Sequence, residues 1–124
     1  MIRVGVTGGR KYQDAGVVAE MLSFASSMKE HVTIVVGCAN GLDRLVRDWC
    51  KKNDVMFEEF VADWTNLGKA AGPMRNKAML DSGMEILIAF PGGTGTAHMT
   101  GICRKAGVQV IEVSEHDSVK RETR

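Results

Sequence analysis

The sequence has little of what would mark a membrane, secreted or metal-dependent protein. No stretch approaches the ~18 apolar residues that a bilayer-spanning helix needs. The opening Met1-Ile2-Arg3-Val4-Gly5-Val6-Thr7 lacks the basic start, apolar middle and small-residue end of a signal peptide and reads directly as a strand. The expected location is the cytoplasm. There are only three cysteines, Cys38, Cys50 and Cys103, an odd number without CxxC or other ligand-like spacing. That argues against a disulfide framework and a zinc motif and leaves reduced thiols. His98 stands at no metal-ligand spacing from His31 or His116. Charge of one sign is also missing: sixteen basic and fifteen acidic residues leave a net charge of +1, short of the electrostatic footprint on which duplex DNA binding rests. No internal repeat or low-complexity linker divides the 124 residues, so one domain is expected over residues 1–114. Residues 115–124 are polar, mixed in sign and without apolar period, which reads as a solvated tail.

What is present is alternation. Apolar runs of strand length (Ile2 to Thr7, Thr33 to Gly37, Val55 to Val61, Met84 to Phe90, Val108 to Val113) alternate with segments of helical period at about Asp14 to Lys29, Leu42 to Asn53, Pro73 to Ser82 and Thr96 to Ala106. Val17, Met21, Phe24 and Met28 form one apolar stripe and Leu42, Leu45, Val46 and Trp49 another. The strand runs are nearly continuous in apolar residues, as parallel strands covered on both faces require. The expected fold is α/β: a single Rossmann-like, doubly wound domain of about five parallel strands with helices on both faces. The connection from Ala62 to Gly72 reads as a long loop, and long loops in small domains often carry function.

In such a sheet, ligands bind beyond the carboxyl ends of the strands. Most of the fourteen glycines fall on that rim. Strand one is followed by Gly8-Gly9-Arg10-Lys11-Tyr12, strand two by Gly37-Cys38-Ala39-Asn40-Gly41, and strand four by Pro91-Gly92-Gly93-Thr94-Gly95-Thr96. Gly92, Gly93 and Gly95 let the backbone approach an anion closely, while unpaired amides opening the helix near Thr96 point at it, so a phosphate fits. The bland alternative is a tight turn with Thr96 as helix cap. The run is not a Walker A loop, and the nearest GxGxxG match, which begins at Gly93, lacks its last glycine.

Several side chains on this rim fit two roles. Arg10 suits a bidentate phosphate contact or an ordinary surface position, with Tyr12 nearby for stacking or a hydroxyl contact. Asn40 reads as a helix N-cap with Asp43 at the third helical position, where Asp43 either favours the helix dipole or accepts from ribose hydroxyls. Trp64 stacks on a base or closes over the core. Pro73 at a first helical position puts Arg75 and Asn76 in the first turn, with Arg75 a second phosphate or carboxylate clamp. Asp63 and His98 complete the polar candidates, and the methionines, Met74, Met79 and Met99 among them, read as core filler.

Five motifs in order resemble the SLOG superfamily of Rossmann-like nucleotide-binding domains, and within it the small YspA-like phage and bacterial proteins. They are Gly8-Gly9-Arg10-Lys11-Tyr12-Gln13-Asp14, Gly37-Cys38-Ala39-Asn40-Gly41-Leu42-Asp43, Ala62-Asp63-Trp64 with Gly68-Lys69, Gly72-Pro73-Met74-Arg75-Asn76, and Phe90-Pro91-Gly92-Gly93-Thr94-Gly95-Thr96. The resemblance implies a rim that binds nucleotides or nucleotide-derived molecules, with the glycine loop holding phosphate. The LOG branch, which hydrolyses the N-glycosidic bond of nucleoside monophosphates, looks similar through Arg75-Asn76-Lys77-Ala78-Met79 and the PGGxGT loop but carries glutamates directly after that loop. Here His98 and Met99 stand there, so a carboxylate to stabilise an oxocarbenium-like state or activate water is missing, unless Asp43 or Asp63 reaches the anomeric carbon. Binding without cleavage, as sensor or sequestering protein, is therefore the first expectation, a LOG-type hydrolase the second, and DprA-like single-strand DNA binding the third. No cofactor is required by these motifs, Mg2+ arriving with a phosphate ligand is left open, and the pattern is compatible with a homodimer or higher homo-oligomer.

Overall fold

The computed structural model describes residues 2–114, so the tail assigned to 115–124 lies outside the described residues. The expected alternation of strands and helices is present. Five strands, β1 (Ile2–Thr7), β2 (Val32–Gly37), β3 (Phe57–Phe60), β4 (Ile86–Ala89) and β5 (Gln109–Glu112), form one all-parallel sheet in the order β3-β2-β1-β4-β5. The chain winds outward from β1 through β2 to β3, then returns to start again at β4 on the other side of β1. The switch point therefore lies between β1 and β4.

The strands' period of two sorts their side chains onto two faces. Ile2, Val4, Val6, Ile34, Val36, Ile88 and Phe90 share one core cluster with Val17, Val18, Leu22 and Ala25 of α1 (Ala15–Ser26) and Leu42, Val46 and Cys50 of α2 (Leu42–Lys52). Val35 and Leu87 face the other way, onto Met79 of α4 (Ala71–Asp81) and Met99 and Cys103 of α5 (Thr94–Lys105). Burying both faces explains why these strands read as continuous apolar runs.

Several local expectations are corrected. The stripe that α1 buries is Val17, Val18, Leu22 and Ala25, whereas Phe24, expected inward, is 55% exposed. The helix stops at Ser26, before Lys29; the hydroxyls of Ser26 and Ser27 turn back onto the carbonyls of Ser23 and Phe24, a local competitor to continued helix. Met74, expected as core filler, is exposed.

The supposed long loop after β3 is mostly helical. A short helix α3 (Trp64–Leu67) and a 3-10 turn (Gly68–Ala70) run directly into α4. Asp63 caps α3, accepting from the Asn66 amide at 3.1 Å and from Asn66 Nδ2 at 2.9 Å. None of the residues of α3 or of the turn is buried, so no apolar period could announce them. Because α4 already begins at Ala71, Pro73 is its third residue rather than its first, still a place where a missing N–H costs no helical hydrogen bond. α2 is capped by Gly41, not Asn40, and Asp43 is its second residue. Likewise α5 opens at Thr94 with Gly93 as its cap, which places Thr96 inside the first turn.

Candidate functional site

Three of the rim loops are joined backbone to backbone. The Gly9 N–H donates to the Pro91 carbonyl at 2.9 Å, and the Gly9 carbonyl accepts from Tyr12 N–H at 3.2 Å and Leu42 N–H at 3.0 Å. Gly9 thus ties the β1 loop to the β4 loop and to the first residue of α2. A Cβ on Gly9 would lie 3.1 Å from both Gly92 Cα and Pro91 O, so bare backbone is what permits this approach. The loops border an open cleft of about 1600 Å3 above the switch point, the place where doubly wound sheets hold ligands.

One wall of the cleft is the opening of α5. The first capping bond of this helix runs from Ala97 N–H to Gly93 O at 3.0 Å, which leaves the amides of Thr94, Gly95 and Thr96 without intrahelical acceptors at the positive end of the dipole. No atom lies within 4 Å of where side chains on Gly93 and Gly95 would begin. Both glycines line the cleft, so their bareness leaves space beside the unpaired amides. Gly92 is different in kind: a Cβ there would collide with Thr96 Oγ1 and come within 2.8 Å of Gly9 N.

Behind this wall runs a polar relay. Arg75 Nε donates to Asn76 Oδ1 at 3.0 Å, and Asn76 Nδ2 donates to the Gly95 carbonyl at 3.2 Å and lies 3.1 Å from His98 Nδ1. On its other side the Arg75 guanidinium lies with Asp43 over Gly37, where a side chain would collide with it. Asp43 is buried and its Oδ2 accepts from the Ala39 amide at 3.1 Å. Arg47, which the sequence reading passed over, fixes the same loop: its Nη1 donates to the carbonyls of Gly37 (3.1 Å) and Ala39 (3.2 Å), while its Nε pairs with Glu59 at 3.0 Å. The only signal for Arg47 was its place one turn after Asp43.

Burial dominates Asp43 and holds its carboxyl above the ordinary value of 3.8; the Ala39 amide and the guanidinium groups of Arg75 and Arg47 pull it back, and Glu59 adds to the rise. A carboxyl raised in this way holds its proton more tightly folded than unfolded, so ionising it costs stability. That cost is absent below 3.8 and grows as pH climbs through the raised folded value. Asp43→Asn keeps an oxygen for the Ala39 amide and removes the charge. Urea denaturation is expected to find it at least as stable as the wild type at neutral pH, with the difference vanishing as pH falls to 3.8. A variant that is less stable at neutral pH and recovers in acid would show this account to be wrong.

The outer edge of the cleft is aromatic and cationic. The Arg10 guanidinium lies over the Trp64 ring, 5.3 Å from its centroid, so Trp64, 47% exposed, neither closes the core nor stands alone. Tyr12 packs edge-on against Phe90, with centroids 5.4 Å apart and rings at 61°. Arg10, Lys11, Lys69 and Arg75 are the lining cations, set against two lining carboxylates, Asp14 and Asp43. Asp14 accepts from the Val17 amide as the cap of α1.

Among the residues expected at the site, Gly8, Gly9, Arg10, Tyr12, Ala39, Asp43, Trp64, Arg75, Asn76, Pro91, Gly92, Gly93, Thr94, Gly95, Thr96 and His98 line this one cleft. Gly37 and Gly41 do not line it and act from behind. Gly37 leaves room for Arg75 and Asp43, and Gly41 takes a φ of 72° against the Arg10 backbone. Asp63 is not among the lining residues; its carboxylate is engaged by Asn66, which holds it below the ordinary carboxylate range. Lys11, Gln13, Cys38, Asn40 and Lys69 also line the cleft. Of the thiols, Cys38 is half-buried there, while burial pushes Cys50 and Cys103 up to about 11. Among the described residues no group of three or more His, Cys, Asp or Glu is placed to hold a metal ion, and no helix is long and apolar enough to cross a membrane.

A doubly wound parallel sheet with glycine loops and an open helix N-terminus at its switch point defines a Rossmann-like domain, with an open cleft at the carboxyl rim. Within that class the chain belongs to the YspA, cpYpsA-related SLOG family, whose model matches residues 2–66. It is also similar to the Gene 61 protein of Mycobacterium phage D29, 33% identical over 123 residues that cover 93% of this chain and 98% of the phage protein. No solved structure matches the chain.

Proposed function

We propose that the protein binds a nucleotide or nucleotide-derived phosphate ligand in this cleft, as a sensor or sequestering protein. The observation that carries the reading is the opening of α5: three unpaired amides beside two bare glycines, facing a cleft whose lining cations outnumber its carboxylates. Phosphate lies against Gly92 to Thr96, Arg75 flanks it, and Trp64 with Arg10 offers a flat surface for a base. Family membership supports a nucleotide-related ligand. Calorimetry across nucleoside monophosphates, cyclic nucleotides and ADP-ribose derivatives, each with and without Mg2+, is the test; no heat from any of them would sink the reading. Mass spectrometry of small molecules released from the native protein would identify what it carries.

Gly95→Ala separates binding from folding. A methyl at a helical position with nothing within 4 Å is expected to raise stability by up to about 1 kcal/mol, yet to weaken binding because it fills the cradle. Equal affinity in the more stable variant would place the phosphate elsewhere.

A second reading is hydrolysis of the N-glycosidic bond of nucleoside monophosphates, favoured by Arg75 standing beside the PGGTGT loop. Against it, Met99 is fully buried, His98 Nδ1 faces Asn76, and both lining carboxylates already accept a backbone amide. Incubation with nucleoside monophosphates and chromatography for free base decides between cleavage and retention.

A further inference from the structure

We propose that Asn76 is a positioning residue that fixes the neutral imidazole of His98 in the tautomer carrying its proton on Nε2. In that form His98 donates an N–H to an acceptor-only oxygen of the bound ligand. This donor role rests on the binding reading above; the positioning of the ring does not.

The inference follows from which partners can only donate and which can only accept. Asn76 is 4% exposed, so its amide is satisfied by protein neighbours. Arg75 Nε, 3.0 Å from Oδ1, only donates, which places the amide oxygen on the α4 side. The Gly95 carbonyl, 3.2 Å from Nδ2, only accepts, which places the NH2 group toward α5. These two neighbours fix the amide orientation independently, where an isolated asparagine would be ambiguous. His98 Nδ1, 3.1 Å from the same NH2 group, must then accept. A neutral imidazole with its lone pair on Nδ1 carries its proton on Nε2; the other tautomer would set N–H against N–H.

The consequence concerns the ligand. His98 lies four residues after Thr94 and three after Gly95, on the same helix face, and lines the cleft with them. The α5 wall then presents N–H donors from the first-turn amides to the imidazole, and the Thr94 and Thr96 hydroxyls between them can donate as well. Such a wall suits a fully ionised phosphate oxygen and disfavours a protonated or cationic group. The same tautomer leaves no lone pair on Nε2, so His98 is a binding group and not a general base.

The test uses the full chain with nitrogen-15-labelled histidine, at about pH 8, above the usual imidazole range. Long-range proton–nitrogen correlation reports which ring nitrogen is protonated, and His98→Gln assigns the signal among the three histidines. The wild type is expected to show the Nε2–H pattern at His98. In Asn76→Asp, whose carboxylate only accepts, the proton is expected to move to Nδ1. Affinity for adenosine 5′-monophosphate is expected to fall about tenfold in Asn76→Asp and in His98→Ala, the loss of one hydrogen bond to a charged group. His98→Gln, whose amide can still donate, is expected to retain most of it. Should Asn76→Asp fail to fold, the wild-type spectrum and the two His98 variants carry the test. A wild-type ring protonated on Nδ1 would overturn the positioning. Failure of the wild type to bind inorganic phosphate or any member of the calorimetric nucleotide panel, with the tautomer as expected, would remove the binding reading and the donor role with it. His98→Ala binding as tightly as wild type would remove the donor role alone.

Discussion

Gly41→Ala is expected to lower stability by about 2–4 kcal/mol, because it combines backbone strain with a collision against main chain. Gly41 takes φ 72° and ψ −125°, a combination that residues with a Cβ rarely adopt. A Cβ there would also run into the carbonyl group of Arg10 and reach within 2.5 Å of the Gly9 carbonyl oxygen. Those atoms cannot rotate away as a side chain can, and Gly9 O already accepts from Leu42 and Tyr12. Relief requires the β1 loop to move, which drags Arg10 off Trp64 and Gly9 off Pro91. Gly83→Ala is the control: φ is 97° but nothing lies within 4 Å, so only the strain of about 1–2 kcal/mol is expected. Urea denaturation of the two variants isolates the collision, and calorimetry on Gly41→Ala reads its effect on the cleft. Equal losses in the two would mean that the β1 loop yields freely, contrary to its close packing here.

The parts of this protein that were legible in sequence are those whose cause is local. Strands such as Ile86–Ala89 show themselves because burial on both faces demands unbroken apolar runs, and Gly9 and Gly41 because the close approach of neighbouring backbone excludes a Cβ there. What was hidden depends on the tertiary arrangement. In α1, Val18, Leu22 and Ala25 form a stripe that competes with Phe24 on the same helix, and only the surface offered by the sheet decides which turns inward. The helix α3 buries nothing, so hydropathy is silent about it, although the Asp63–Asn66 spacing encodes its cap. Asn76 and His98 stand 22 residues apart and are joined only because α4 packs on α5. Arg47 meets Glu59 because β3 lies next to β2 at the sheet edge. The location of the cleft was therefore readable, and the wiring behind it was not.

Arg75→Ala is expected to weaken binding of a phosphate ligand by about 100-fold, roughly 2–3 kcal/mol for a charge-assisted hydrogen bond lost from a partly buried site. Three connections converge on this guanidinium. Its Nε holds the Asn76 amide and so, through Nδ2, the ring of His98. Its charge lowers the carboxyl of Asp43, whose burial otherwise raises it. Its Nη1 lies over Gly37, behind the cleft that Arg75 itself lines. Removing the side chain leaves Asp43 buried with less compensation, pushing its carboxyl further up and making its ionisation more costly at neutral pH. A loss of stability at neutral pH that shrinks in acid is therefore expected beside the loss of affinity. Arg75→Lys keeps the charge but not the planar fork, so it cannot hold Asn76 and also reach the ligand; it is expected to recover less than half of the lost binding energy. Arg10→Ala, whose exposed guanidinium rests on Trp64, is expected to cost only several-fold. Calorimetry with adenosine 5′-monophosphate ranks the three variants. If Arg10→Ala proved the more damaging, the phosphate would belong at the Trp64 edge of the cleft, and the α5 wall would be left to the ribose or the base.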